Sequence, residues 1–152
     1  MAAPLRAIVT ATLAHLALSP GDITILLTDD AALRALNRRW RGIDRATDVL
    51  SFGYGVRGAR VGGDLVISLD RMRVQARRYR TGAARELARL VIHGTLHLAG
   101  HDHHAAGERV RMRRIERAAM RGSVKFIAKL SILDRARPRY SEPAPRRKGN
   151  RR

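Results

Sequence analysis

The apolar positions at the start of the chain repeat with the period of a helix. They fall on the i, i+3, i+4 grid of one helical face, at Leu5, Ile8, Val9, Thr12, Leu13 and Leu16. His15 interrupts the apolar run, which a secretory signal peptide would keep unbroken. The pattern therefore predicts an amphipathic first helix and a protein that stays in the cytoplasm.

The rest of the pattern predicts short strands among further helices. "DITILLT" is typical of a buried strand, two more strands are predicted at 47–52 and 64–68, and the Gly-rich "GYGVRGARVGG" between them predicts a mobile loop or a ragged hairpin. Thr28 or Asp29 can cap a helix that ends in "NRRWR". Further helices are predicted at 69–80, 84–99 and 105–120, and "SVKFIAKLSIL" is a helix or a strand. Because strands and helices do not alternate regularly, the fold class predicted is α+β, a small mixed sheet packed against helices.

Composition adds a strong positive charge. Thirty-one Lys and Arg against 13 Asp and Glu give +18, which favours a polyanionic partner such as a nucleic acid, although part of the charge can simply solvate helices. Aromatic residues make up only 4%, so base stacking is not expected to be the main binding mode. Residues 1–134 are predicted to form one domain, and 135–152 a basic, disordered tail. No apolar run is long enough to span a membrane, and the absence of cysteine excludes disulfides and thiolate metal sites.

The histidines are concentrated in one segment. "HGTLHLAGHDHH", residues 93–104, holds five of the six. His93 and His97 are four apart on a predicted helix and so share a face, and Gly100 can end that helix so that His103 returns toward them. Three neutral imidazoles with a fourth position open are typical of a catalytic zinc site, one ion per chain, although copper and nickel accept the same ligands.

The residues around these three histidines leave alternatives open. His101 and His104 are expected to point away from the metal, and Asp102 either orients an imidazole or is a solvated turn carboxylate. The metzincin proteases share the histidine spacing but carry a glutamate as general base directly after the first histidine. This chain has Gly94 there, so the helix is metzincin-like while peptide hydrolysis is disfavoured.

Three ordered motifs resemble those of the YbeY family of bacterial metallo-endoribonucleases: "LNRRWRGIDRATDVLSF", "GDLVIS" and "HGTLHLAGHDH". The resemblance implies an α+β fold, a zinc ion held by His93, His97 and His103, and a functionally important arginine at Arg41. It also implies a role in rRNA (16S 3′ end) maturation and ribosome quality control. The chain departs from the family pattern at Gly53, where proline is usual, and at His101, where tyrosine is frequent. The amino-terminal segment is short, and the extension after about Met120 is not a general family feature.

The function predicted is that of a zinc-dependent endoribonuclease that prefers single-stranded RNA, with rRNA and the small ribosomal subunit as partners. Zinc would activate water or act as Lewis acid, and Arg41 would bind phosphate oxygens. Asp48, Asp64 and Asp102 are candidates for the general base. Two other functions stay open, a zinc metallopeptidase-type hydrolase and a non-catalytic ribosome- or RNA-binding module. The sequence leaves the oligomeric state undetermined.

Overall fold

The computed structural model describes residues 2–102 and 104–131 of the chain. The third predicted metal ligand, His103, and the predicted basic tail at 135–152 therefore lie outside the described residues. The elements are, in chain order, α1 Ala2–Ala14, β1 Ser19–Thr28, α2 Asp30–Arg41, β2 Val49–Arg57, β3 Arg60–Ser68, α3 Leu69–Arg78, α4 Ala83–Leu98, α5 Ala106–Gly122 and α6 Val124–Lys129. Helices packed around one small sheet confirm the predicted α+β class. No helix in the described ranges has the length and apolar character needed to cross a bilayer.

The sheet is mixed, with strand order β1-β3-β2. β1 pairs with β3 in parallel, and β2 pairs with β3 in antiparallel fashion. Of the two alternatives predicted for the Gly-rich segment, a mobile loop or a ragged hairpin, the structure has the hairpin. The segment forms the outer part of the β2–β3 hairpin, because the ladder continues to Arg57 and Arg60 after one irregularity between Gly53 and Gly55.

The prediction of a buried strand at "DITILLT" is wrong in one respect. β1 lies at an edge of the sheet, where its residues alternate between exposed and half-buried, and Leu26 is 52% exposed. Among the helices, β1 packs mainly against α1, so its apolar side chains are only partly covered. The apolar run therefore identified the strand correctly but not its position in the sheet.

Helices cover both faces of the sheet. Leu33 of α2 packs with Leu50 and Val66 on one face, in a small cluster that includes Leu36 and Phe52. The larger core lies on the other face, where Leu65 and Ile67 meet α1 and α4. Asp29 caps α2 as predicted, its carboxylate accepting a hydrogen bond of 2.9 Å from the Ala32 amide.

α4 is the central helix of the larger core. Eleven of its 16 residues are buried. Apart from Ala83, the residues that reach the surface form one stripe at four-residue spacing, namely Arg85, Arg89, His93 and His97. Because core packing fixes the rotation of α4, it also fixes the direction in which this stripe faces.

Candidate functional site

His93 and His97 lie side by side on the exposed stripe of α4, as their spacing predicts. The two Nε2 atoms are 3.1 Å apart, and the ring centroids are 4.7 Å apart at an interplanar angle of 72°. Two nitrogen ligands of one tetrahedral zinc ion, each at about 2.0–2.1 Å from it, are separated by roughly 3.3 Å. The pair therefore has the separation that chelation of one ion requires.

Glu116 of α5 orients the first of these rings. Its Oε1 lies 2.6 Å from His93 Nδ1, and both side chains are largely shielded from solvent. Since a carboxylate can only accept, Nδ1 donates its hydrogen and Nε2 keeps the lone pair that faces His97. This is the usual support for a metal-binding imidazole. Glu116 was not predicted from the sequence, where it is only one of two carboxylates on a helix with six arginines.

The turn after α4 reverses the chain as Gly100 predicts. Gly100 adopts a φ of 87°, and the His101 amide donates to the Leu96 carbonyl at 3.0 Å, which closes the helix end. His101 is half-buried; burial lowers its pKa, Arg111 lowers it further, and Glu108 opposes both. Asp102 Oδ2 lies 3.3 Å from Nε2 of the exposed His104, so the imidazole it contacts here belongs to that residue.

His103 follows directly on this turn and lies outside the described residues. Within residues 2–102 and 104–131, no group of three or more His, Asp or Glu side chains is arranged to hold a metal ion. The residues present nevertheless fit a metal: two imidazole nitrogens converge, and a carboxylate holds one ring in the required tautomer.

Gly94 explains why the protease glutamate has no counterpart here. A Cβ at this position would lie 2.8 Å from Leu65 Cδ2, 3.2 Å from Ser51 Oγ and 3.3 Å from Val49 Cγ2. The Ser51 hydroxyl also donates to the Gly94 carbonyl at 3.3 Å. Position 94 therefore faces the sheet at close approach, and α4 can lie this near to β2 and β3 only because the side chain is absent.

Two of the candidate bases are engaged with other groups. Asp48 accepts hydrogen bonds from the Val49 amide at 2.9 Å and from Gln75 Nε2 at 3.1 Å. Asp64 accepts one from the Tyr54 hydroxyl, and this bond raises the pKa of the phenol. Asp64 lies in the hairpin, whereas Asp48 shares a cleft with His93.

This cleft, of about 820 Å³, runs along the stripe of α4 and is here called the basic cleft. It is bordered by α3, α4, α5 and α6, and its lining includes Asp48, His93, Glu116, Arg85, Arg117 and Arg121. The histidine pair thus lies beside a groove rather than in an isolated pocket.

Arg41 is the last residue of α2 and is exposed. It lies on the sheet face opposite α4, so it is not in the same layer as the histidine pair. β2 lies between Arg41 and the histidine pair. On one side Trp40, the residue before Arg41, packs edge-on against Phe52 of β2 at 6.3 Å between ring centroids. On the other side Ser51 of β2 contacts Gly94 of α4. Arg41 and the histidines thus flank β2, an edge strand, from its two faces.

Known proteins match both the sequence and the fold. A sequence model of a protein family, described as endoribonuclease YbeY, matches residues 2–123. Proteins named endoribonuclease YbeY from Myxococcus xanthus and Persephonella marina are 46% and 37% identical, over 70% and 85% of this chain. The chain spans 38% of the length of the first and 79% of the second. A Thermotoga maritima protein solved in solution has the same fold, with a TM-score of 0.62 at 24% identity, covering 93% of this chain and 89% of that one. Since the matched region contains α4, the histidine pair and Arg41, the chain belongs to the endoribonuclease YbeY family.

Proposed function

We propose that the protein is a zinc-dependent endoribonuclease that cuts single-stranded RNA. The observation that carries the proposal is the convergence of His93 and His97 Nε2 at 3.1 Å, with Glu116 bound to the far side of the first ring. Membership of the YbeY family and the net charge of +18 support RNA as the substrate. Cleavage of a labelled single-stranded RNA that stops on chelation and returns with zinc would test it.

In this proposal His93, His97 and His103 hold the ion, and Glu116 keeps the His93 ring in the tautomer that binds it. When bound, zinc supplies Lewis acidity toward a phosphate oxygen and lowers the pKa of water that it binds. The turn at Gly100, three residues after His97 and just beyond the end of α4 at Leu98, is what would bring His103 back to the pair.

Arg41 is proposed to bind the phosphate that is cut. Its planar guanidinium can donate two parallel hydrogen bonds to phosphate oxygens, and no ion pair occupies it within the described chain. The neighbouring Trp40 is 63% exposed, and the Arg39 guanidinium lies 5.3 Å from its ring centroid. An exposed ring beside a phosphate-binding arginine suits an unpaired base, which supports the single-strand preference.

The particular RNA, the partner and the compartment are proposed from the family membership and the charge of the chain. We propose rRNA, at the 3′ end of the 16S molecule, as the substrate and the small ribosomal subunit as the partner, in the cytoplasm. A chain with no cysteine suits that reducing compartment.

The metallopeptidase alternative is weakened by Gly94, since a glutamate there would meet Leu65 and Ser51 rather than face the histidines. The non-catalytic alternative predicts that the metal stabilises the fold. It gains no support from the core, because α4 is held by buried apolar residues on α1 and β3.

Arg41→Ala is expected to lower kcat/KM for RNA cleavage about a hundredfold while zinc content stays unchanged, because one electrophilic contact to the phosphate is lost. Arg41→Lys should recover only a small part of the lost kcat/KM, since an ammonium keeps the charge but not the two parallel N–H donors of the guanidinium. Arg45→Ala, an exposed arginine of the following loop, is the matched control. Equal losses for Arg41→Ala and Arg45→Ala would show that Arg41 contributes only general charge.

Glu116→Gln is expected to weaken zinc affinity about 10- to 100-fold without unfolding the chain, because the carboxylate that fixes the His93 tautomer becomes a neutral amide. Competition with a chromophoric chelator would measure the affinity. Glu108→Gln, on the exposed first turn of the same helix, controls for the change in charge. An unchanged affinity in Glu116→Gln would mean that Glu116 has no part in metal binding.

A further inference from the structure

The basic cleft contains positive charge that no carboxylate of the described chain neutralises. Arg85, Arg117 and Arg121 are exposed along its walls, and none forms an ion pair within the described ranges. In a different part of the protein, Arg34 and Arg71 are paired with Asp44 at 2.8 Å and Asp30 at 3.1 Å. Most other arginines of the described chain also lack a carboxylate partner, but Arg85, Arg117 and Arg121 share one cleft with His93.

The carboxylates of the cleft are engaged at its base. Glu86, 2% exposed, accepts from Arg89 Nη2 at 2.7 Å, and Asp48 Oδ2 lies 3.8 Å from the same nitrogen. Glu116 is bound to His93. The negative groups are thus paired internally, whereas the positive groups on the walls are open to solvent, and an anion entering the cleft meets the arginines first.

The three arginines lie on two walls of the cleft, which is also lined by His93. Arg85 is on α4, two turns before His93 along the exposed stripe, a distance of about 12 Å along the helix axis. Arg117 and Arg121 are on α5, and Arg117 directly follows the carboxylate that holds His93. Arg85 also lies in the first turn of α4, where the helix dipole disfavours a cation and favours an anion.

We infer that the basic cleft holds the phosphate backbone of the RNA on one side of the cut, with Arg85, Arg117 and Arg121 contacting successive phosphates. The inference rests on the proposed nuclease function and adds the path that the strand takes from the histidines. It gives these arginines a positioning role that is distinct from that of Arg41, which is proposed to contact the phosphate being cut. Arg41 stands on the other face of the sheet, so the strand would run from the cleft past the histidines toward the β2 edge.

The test compares two double variants with the same loss of charge in the full-length, zinc-loaded protein. Arg117→Gln/Arg121→Gln removes two cleft arginines, and Arg57→Gln/Arg60→Gln removes two exposed arginines at the end of the β2–β3 hairpin. Steady-state cleavage of a single-stranded RNA and fluorescence anisotropy of its binding are measured at several salt concentrations. Thermal unfolding shows that both variants are folded.

The cleft variant is expected to raise KM and weaken binding about tenfold with kcat unchanged, because phosphate contacts remote from the cut are lost equally in the bound and transition states. The slope of log affinity against log salt should fall by about 1.4, or 0.7 for each phosphate contact removed. The hairpin variant should differ little from the unmodified protein.

Any other outcome contradicts either the role of the cleft or the nuclease function. If the protein cuts RNA and both variants behave alike, the cleft assignment is wrong and the nuclease function stands. If RNA is bound through the cleft arginines but never cut, the nuclease function is wrong and the cleft remains an RNA-binding surface. If only binding of an acidic peptide such as polyglutamate depends on Arg117 and Arg121, the cleft serves a protein partner and the inference fails.

Discussion

Replacing His97 with alanine is expected to abolish zinc binding and to lower the rate of RNA cleavage at least about a thousandfold, while the chain remains folded. The imidazole is partly exposed on the stripe of α4, and the helix is held by its buried side, so little packing is lost. Alanine also has the highest helix propensity, which preserves the local backbone. The loss should therefore fall on the metal and not on the fold.

Three measurements on the same samples make this result specific. Zinc content by mass spectrometry, circular dichroism and RNA cleavage are compared with those of His15→Ala, which removes the exposed histidine after α1. His15→Ala should match the unmodified protein in all three. If His97→Ala cuts RNA at the original rate, the activity comes from a contaminant. If it loses its helical signal at ambient temperature, the metal is structural, as the non-catalytic alternative requires.

The parts of the site that the sequence predicts are those governed by local rules. The four-residue spacing of His93 and His97 sets their separation on one helix, and Gly100 marks where that helix ends. The Asp29 cap follows in the same way from a side chain that bonds to a backbone amide three residues on. Each of these features depends on a few consecutive residues.

The parts that the sequence did not predict depend on how distant elements pack. Glu116 reaches His93 across 23 positions, and nothing in its neighbours shows that α5 turns that carboxylate toward α4. The exposure of Leu26 depends on β1 being an edge strand, and the exposure of Trp40 on where α2 ends against β2. Position along the sheet and contact between helices are tertiary properties, which periodicity does not encode.

The basic cleft shows the same distinction on a larger scale. Its charge is visible in the sequence as an excess of arginine, but the sequence does not separate arginines paired with carboxylates from unpaired ones. Arg89 and Arg85 are one turn apart on α4, yet the first is bound to buried Glu86 and the second is not ion-paired within the described residues. The Glu86–Arg89 pair is local to α4, at three-residue spacing, whereas the contacts of Arg89 with Gln75 of α3 and with Asp48 depend on tertiary packing.

Gly94→Glu is expected to lower the free energy of unfolding by roughly 4 kcal/mol or more, which would leave much of the chain unfolded. Any Cβ at this position meets Leu65 Cδ2 at 2.8 Å, and a glutamate would in addition place a carboxylate between helix and sheet. Gly94→Ala carries the steric cost alone, about 1–3 kcal/mol, reduced by the better helix propensity of alanine.

Gly107→Ala is the matched control for this comparison, because it is also helical and a Cβ there has nothing within 4 Å. Its stability should stay the same or rise by up to about 1 kcal/mol. Urea unfolding of the three variants would give the order Gly107→Ala, Gly94→Ala, Gly94→Glu from most to least stable. A stable Gly94→Glu protein that hydrolysed peptides would restore the metallopeptidase alternative. Equal stability of Gly94→Ala and Gly107→Ala would show that α4 can move away from the sheet. Close packing would then not explain why position 94 is a glycine.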